Sequence, residues 1–304
     1  MITNNLNLPA PLVAAILADD YDNGGADISV TSLIKPPRMV ELERRHRDQI
    51  IEDASDRIWS LIGRIGHTIL AAGAKANLVE HRLFMPVLGW TISGQVDILN
   101  GRTISDYKFT SVWSIKDGAK PEWEQQLNLY RLLAEENGIA GIKELEICAI
   151  LRDWSKMEAK RDRNYPQSGV QMFRLPMWSP AKAEGYLHER VKLHQNARVT
   201  LPECSPEDRW ERPTRWAVMK EGRKSALRVL DDYSDAMSWV ALNGYISPKT
   251  ISLAELVTKP GISIQERPGE RVRCSSYCSV APFCQQYQDY LKANNEPVEA
   301  EAVA

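Results

Sequence analysis

Two acids and a lysine stand close together in TISGQVDILNGRTISDYKFTSVW, residues 91 to 113: Asp97, Asp106 and Lys108. The Asn100-Gly101 pair between them is a strong two-residue hairpin signal. On the second strand Ile104, Asp106 and Lys108 share a face, which sets Asp106 and Lys108 about 6–7 Å apart. Across the hairpin Asp97 can lie close to both. Two carboxylates converging on one spot repel and lose hydration unless a cation sits between them. Hard oxygen ligands suit magnesium or manganese, and a neighbouring lysine can then stabilise charge on a phosphate. The plain alternative is a solvent-facing Asp–Lys pair, since short D-x-K matches are common.

The chain that must position these groups has 304 residues, enough for one large domain or two modest ones. Its net charge of −2 excludes a global basic surplus, so any nucleic-acid contact must come from local patches. The N-terminus lacks a basic stretch followed by a long apolar run, and no segment approaches a membrane span, which reads as a soluble cytoplasmic protein. Apolar residues at helical spacing from Leu42 to Ile69 predict one helix over 39 to about 73. Strand-like segments follow near 78–88, 91–99 and 102–109. Pro121 opens a second helix that Gly138 ends. ELEICAIL (144–151) and GVQMFRLPMW read as strands around a charged loop at 152–168, and Ser179-Pro180 starts a helix to about 197. Beyond Leu201 a long helical stretch is expected at roughly 206–240, then a cysteine-bearing tail. The expected organisation is an N-terminal extension (1–27), an α/β core (28–200), a mainly helical C-terminal appendage (201–290) and a disordered tail (291–304).

Three more features accompany the hairpin. GRIGH sets His67 four residues after Gly63, although a single helix histidine is more often packed than ligating. Gly94 precedes Asp97 by three. Gln126 and Tyr130, at i and i+4, share one face of the second helix. Each is weak alone. The ordered set G-x-x-x-H, G-x-x-D, D-x-K, Q-x-x-x-Y resembles the PD-(D/E)XK nuclease superfamily, in particular its RecB-like branch, and ISVTSLIKPPR also looks like the opening of that branch's domains. The resemblance implies a restriction-endonuclease-like core, a mixed sheet flanked by helices. It implies that His67, Asp97, Asp106 and the backbone carbonyl of Tyr107 hold Mg2+ or Mn2+, and that Lys108 is catalytic. Gln126 would orient the lysine or the attacking water, and Tyr130 would approach the DNA backbone or the motif strand. Glu80 receives at most a minor part. The activity implied is a metal-dependent deoxyribonuclease, an exonuclease of phage type acting on DNA ends in recombination, repair or phage replication. A catalytically silent iron–sulfur DNA-binding scaffold is the alternative, but it need not keep every acid, the lysine and the glutamine. A small-molecule metalloenzyme has no account of Lys108 or the glutamine helix. No G-x-x-x-x-G-K-[ST] stretch occurs, so a helicase or a single-strand annealing protein would be a separate partner.

The five cysteines, Cys148, Cys204, Cys274, Cys278 and Cys284, are an odd count that argues against a disulfide framework. Cys274, Cys278 and Cys284 form C-x3-C-x5-C, a spacing that suggests a metal centre. Cys204 is available as a fourth ligand, while Cys148 reads as a buried core thiol. Several RecB-like nucleases resemble this chain in carrying a 4Fe-4S cluster on four cysteines; in some the lone cysteine precedes the nuclease motifs, whereas here it must follow them. Zinc is the alternative. Either would close a loop of about seventy residues. Lys220, Arg223, Lys224 and Arg228 fall on one side of a predicted helix, and Arg152, Lys156, Lys160, Arg161 and Arg163 surround Trp154. A charge run is usually a solvated face. Beside a nuclease site these cations would bind phosphates, with Trp154 or Trp113 stacking on unpaired bases.

Overall fold

The computed structural model describes residues 1–18, 22–247 and 258–295. The chain divides into two compact units, Met1–Glu203 and Cys204–Ala304.

In the first unit, strand β1 (Ile2–Thr3) leads into helix α1 (Ala10–Leu17), then β2 (Ile28–Ser29), α2 (Val30–Leu33) and α3 (Pro37–Arg45). The single helix expected over 39–73 is broken here. Asp53 explains the break: its carboxylate accepts hydrogen bonds from Ser55 N and Oγ, and from Asn5 N and Thr3 Oγ1. An Asp that satisfies nearby backbone donors competes with helix continuation. The chain therefore makes strand β3 (Glu52–Asp53), parallel to β1, and a 3-10 turn before α4 (Ile58–Gly73) restarts. Helix α4 buries only Leu61, leaving Trp59, Ile62, Ile65 and Ile69 exposed.

The central strands are β4 (Leu78–Val87), β5 (Trp90–Asn100) and β6 (Thr103–Thr110), followed by helix α5 (Pro121–Glu136), strand β7 (Glu144–Leu151), α6 (Lys156–Arg161), β8 (Val170–Arg174) and α7 (Pro180–Val199). They form one mixed sheet in the order β2-β5-β6-β7-β8, with β4 also paired to β5. β2–β5 and β6–β7 are parallel, and the other pairs antiparallel. The unit is thus a mixed α/β fold whose sheet is flanked by helices. Neighbouring residues on a strand point to opposite faces. Phe109 meets Gly66 of α4, where an added Cβ would lie 2.0 Å from its ring, whereas Lys108 reaches Gln126 of α5. The two helices therefore lie on opposite sides of β6. Helix α5 is buried along most of its length, from Trp123 to Ala134, and is the centre of the core with Leu99, Ile104, Leu145 and Ile147. Its Asn128, fully buried, donates to Glu124 O and Pro176 O and accepts from Trp178 N, fixing the approach to α7. Ser179 caps α7 by accepting from Lys182 N.

The second unit departs from the helical expectation for 206–240. It contains strands β9 (Glu211–Arg212), β10 (Arg215–Lys220) and β11 (Arg228–Leu230), helix α8 (Tyr233–Leu242), strands β12 (Ile262–Arg267) and β13 (Glu270–Arg271), and helices α9 (Val272–Ser276) and α10 (Gln285–Asn295). β11-β10-β12 form an antiparallel sheet on which α8 packs, and β13 pairs with β9. The reason lies in RWAVMK: Trp216 and Val218 point toward Ala236 and Val240 of α8, and aromatic and β-branched residues favour a pleated surface. Gly222, at φ 78°, then reverses the chain into β11. The appendage is mixed, not mainly helical. Of the tail expected to be disordered (291–304), residues 291–295 continue helix α10, and residues 296–304 lie outside the described residues. Among the described residues no helix is long and apolar enough to cross a membrane.

Candidate active site

The hairpin register brings the two acids together. β5 and β6 pair at Asn100 with Thr103, Leu99 with Ile104 and Ile98 with Ser105. One step further would set Asp97 opposite Asp106, and there the ladder stops. The strands part because Asp97 Oδ2 itself accepts the Tyr107 N–H, at 2.8 Å. From that point β6 continues against β7, with Asp106 beside Ile147 and Lys108 beside Ala149. Asp97 is 8% exposed and Asp106 2%.

Around the acids stand two groups of partners. On the α5 side Lys108 Nζ lies 2.6 Å from Asp106 Oδ2 and donates to Gln126 Oε1 at 3.1 Å. Gln126 Nε2 donates to Asp106 Oδ1 at 3.3 Å and to the Tyr130 hydroxyl at 2.8 Å. The glutamine thus fixes both ends of the Asp106–Lys108 pair, and Tyr130 fixes the glutamine. Tyr130 is buried and faces the strands rather than solvent. Its ring lies against Gly94, where a Cβ would come within 2.8 Å. In G-x-x-D the glycine is therefore room for Tyr130. In G-x-x-x-H, by contrast, Gly63 faces open space and Gly66 makes the close contact.

On the α4 side His67 Nδ1 is 3.3 Å from Asp97 Oδ2 and 3.4 Å from Glu80 Oε1. His67, Glu80 and Asp97 each offer a ligand atom within 4.8 Å of the others, the single such trio among the described residues. Glu80 adopts φ 47° and is held by Gln95 Nε2, whose amide oxygen accepts from Arg82. Sequence reasoning undervalued Glu80. The signal available was register: in the β4–β5 pairing, where Val79 faces Ile98 and His81 faces Val96, Glu80 falls opposite Asp97.

Burial first, and then the nearby charge of Asp106, push the Asp97 carboxyl well above the usual carboxylate range. Glu80 raises the His67 imidazole, and His67 in turn holds Glu80 low. Asp106 Oδ2 accepts no hydrogen bond of good geometry, its ammonium contact notwithstanding. A buried carboxylate oxygen left over beside a second, crowded carboxylate is an arrangement that a divalent cation would relieve.

In the second unit Cys204 N donates to Gln286 Oε1 and Gln286 Nε2 donates back to Cys204 O, at 2.9 and 3.0 Å. That clamp ties the Cys204 loop to the first turn of α10, directly after Cys284. Cys284 and Cys274 feel one another electrostatically, and burial raises the Cys274 thiol. Cys148, expected as a buried core thiol, is half-buried on β7 in the other unit. Lys220, Arg223, Lys224 and Arg228 lie at and around the β10–β11 turn, not on a helix. Arg161 ends the exposed α6, paired with Glu158 at 3.3 Å. Trp154 is half-buried, with its Nε1 donating to Pro166 O and its ring packed on the core.

No family model matches the chain, and neither does any curated protein. Among solved structures it is similar to the crystal structure of SSO0001, at 18% identity and TM-score 0.43, covering 66% of this chain and 87% of that one. It is also similar to LHK-Exo in complex with dAMP, at 12% identity and TM-score 0.37, covering 62% and 94%. Likeness at this level fixes neither the fold family nor the activity.

Proposed function

We propose that the protein is a metal-dependent deoxyribonuclease with a PD-(D/E)XK, RecB-like core, acting on DNA ends as an exonuclease. The observation that carries this reading is the Asp106–Lys108–Gln126 triangle, set beside a pocket of ligand atoms from His67, Glu80 and Asp97. Extra hydrogen bonds help any buried ion pair, but here they also hold the lysine in one orientation beside a pocket of metal-ligand atoms, as a catalytic lysine requires. Mg2+ or Mn2+ would be held by His67, Asp97 and Asp106, with Glu80 in reach and the Tyr107 carbonyl completing the set. When bound, the cation would supply charge neutralisation at phosphorus and ease deprotonation of water. The chain's own residues do the rest. Lys108 aims a positive charge where negative charge grows on the phosphoryl oxygens, Gln126 keeps that ammonium in place, and Asp106 and Lys108 together can orient the attacking water.

The four cysteines Cys204, Cys274, Cys278 and Cys284 are proposed to hold a 4Fe-4S cluster. The Cys204–Gln286 clamp supports the pairing of the lone cysteine with the triplet. Zinc on the same four cysteines is the alternative. The site would be structural, closing the second unit on itself.

The test is cleavage of end-labelled linear DNA with magnesium or manganese, beside Lys108→Ala and a chelator. Metal-dependent shortening that the variant loses is expected, and the label gives polarity. Undiminished cleavage by Lys108→Ala would sink the assignment, and no cleavage by the folded, cluster-loaded protein would favour the silent scaffold.

A further inference from the structure

The mouth of the Asp106–Lys108 site carries cations and exposed aromatic rings that the catalytic triangle does not use. Arg152 follows β7 directly and donates its N–H to Thr110 O, two residues past Lys108. Its guanidinium lies 3.9 Å over the Trp59 ring, on the first turn of α4, and that ring is 53% exposed. The adjacent Asp153 is engaged elsewhere, accepting the Val112 N–H at 2.7 Å. That bond holds the 111–115 loop against Arg152, and the loop presents Trp113, 72% exposed. Lys120, half-buried at the start of α5 and 5.7 Å from the Trp123 ring, feels Arg152 and Lys108 as like charges and Glu122 as an opposite one. Among the described residues no carboxylate lies within 4.0 Å of Lys120 or Arg152. Like charges gathered without a close counter-ion favour an anion from outside.

We propose that Trp59, Trp113, Lys120 and Arg152 form a track for an unpaired DNA strand leading to Lys108, so that the substrate is single-stranded or frayed DNA. The inference rests on the nuclease reading and names its substrate. Exposed tryptophans favour an unpaired strand over a duplex, because the bases of a duplex stack on each other and offer no free face. The two cations supply phosphate contacts between the stacking positions.

Binding is measured on the full-length protein in chelator, by anisotropy of a labelled oligothymidine strand and of a blunt duplex of equal length. The strand is expected to bind at least about tenfold tighter than the duplex. Trp59→Ala and Trp113→Ala should each weaken strand binding roughly tenfold, and Trp→Phe at either position should restore it. Lys120→Gln should lower the slope of log affinity against log salt by about 0.7. A duplex bound as well as the strand, or tryptophan variants binding as the parent does, would overturn the proposal. The metal-dependent cleavage assay separates the two readings. If the parent cleaves but the tryptophan variants bind normally, the track falls and the active site stands. If strand binding depends on the tryptophans but nothing is cleaved, the track stands and the nuclease reading falls.

Discussion

At the scale of single residues, Gln126 is the side chain on which the site's geometry converges. Its amide oxygen accepts from Lys108 and its amide nitrogen donates to Asp106 and Tyr130, so each of its polar atoms is committed. Gln126→Ala should leave the fold in place, since Lys108 keeps its Asp106 contact, but free the ammonium to wander. The expected loss is about 100-fold in kcat on linear DNA, with a stability cost of about 1–3 kcal/mol for the buried hydrogen bonds left unmade. Tyr130→Phe removes a hydrogen bond one step further back and should cost less than about tenfold. Equal losses for the two variants would place Tyr130 in direct contact with substrate, against its burial. Lys108 and the two acids could be read from D-x-K and hairpin spacing. Glu80 was legible only through the β4–β5 register that sets it opposite Asp97, and its reach to His67 depends on a left-handed backbone at φ 47° that no residue type in the stretch announces.

At the scale of elements, close approach and buried polar contacts set the tolerances. Gly94→Ala would drive a Cβ to 2.8 Å of the Tyr130 ring and 3.0 Å of Leu133, both buried. Overpacking of that kind should cost about 1–3 kcal/mol, read as a lower denaturation midpoint, and should also slow cleavage by shifting Gln126. Helix α7 docks on α2 through His194, 4% exposed, whose Nε2 meets Leu33 O at 2.9 Å. Burial first, and then the neighbouring Arg190, push its pKa down to about 4. The native state therefore stays neutral at pH values where the unfolded chain has already taken up a proton. Stability should be unaffected above about pH 7 and fall as the pH drops from about 6.5 toward 4, by a few kcal/mol in all. His194→Gln, which keeps a donor for Leu33 O and cannot titrate, should flatten that part of the stability–pH curve. An unchanged slope in the variant would show that other groups carry it.

At the scale of the whole molecule, the second unit's buried apolar cluster among the described residues is small, Val218, Ala236, Val240 and Ile262, with partly buried side chains such as Trp216 and Trp239 packed on it. A unit so lightly packed should depend on its cysteine site. Cys204→Ser is expected to lose iron and acid-labile sulfide together with the visible absorption of the cluster, and to make the segment from Cys204 onward protease-sensitive while residues 1–203 resist. Zinc in stoichiometric amount, without sulfide, would replace the cluster by a single-ion site.

Sequence alone determined the local features. The Asn100-Gly101 turn, the Ser179 cap, the Pro121 start and the long apolar helix to Glu136 rest on short-range backbone chemistry that residue types state directly. The order of acids, lysine and glutamine was legible for the same reason, because strand and helix periods place them. Tertiary structure decided what depends on competing partners. RWAVMK became a strand because α8 offered Ala236 and Val240 to pack on, and the helix through His46 broke because Asp53 found Ser55, Thr3 and Asn5. How far each aromatic ring is covered was settled in the same way: Trp154 found Pro166 O and the core, while Trp59 lies under Arg152 and stays 53% exposed. Such outcomes turn on contacts between segments far apart in the chain, and a one-dimensional pattern carries no record of which partner wins.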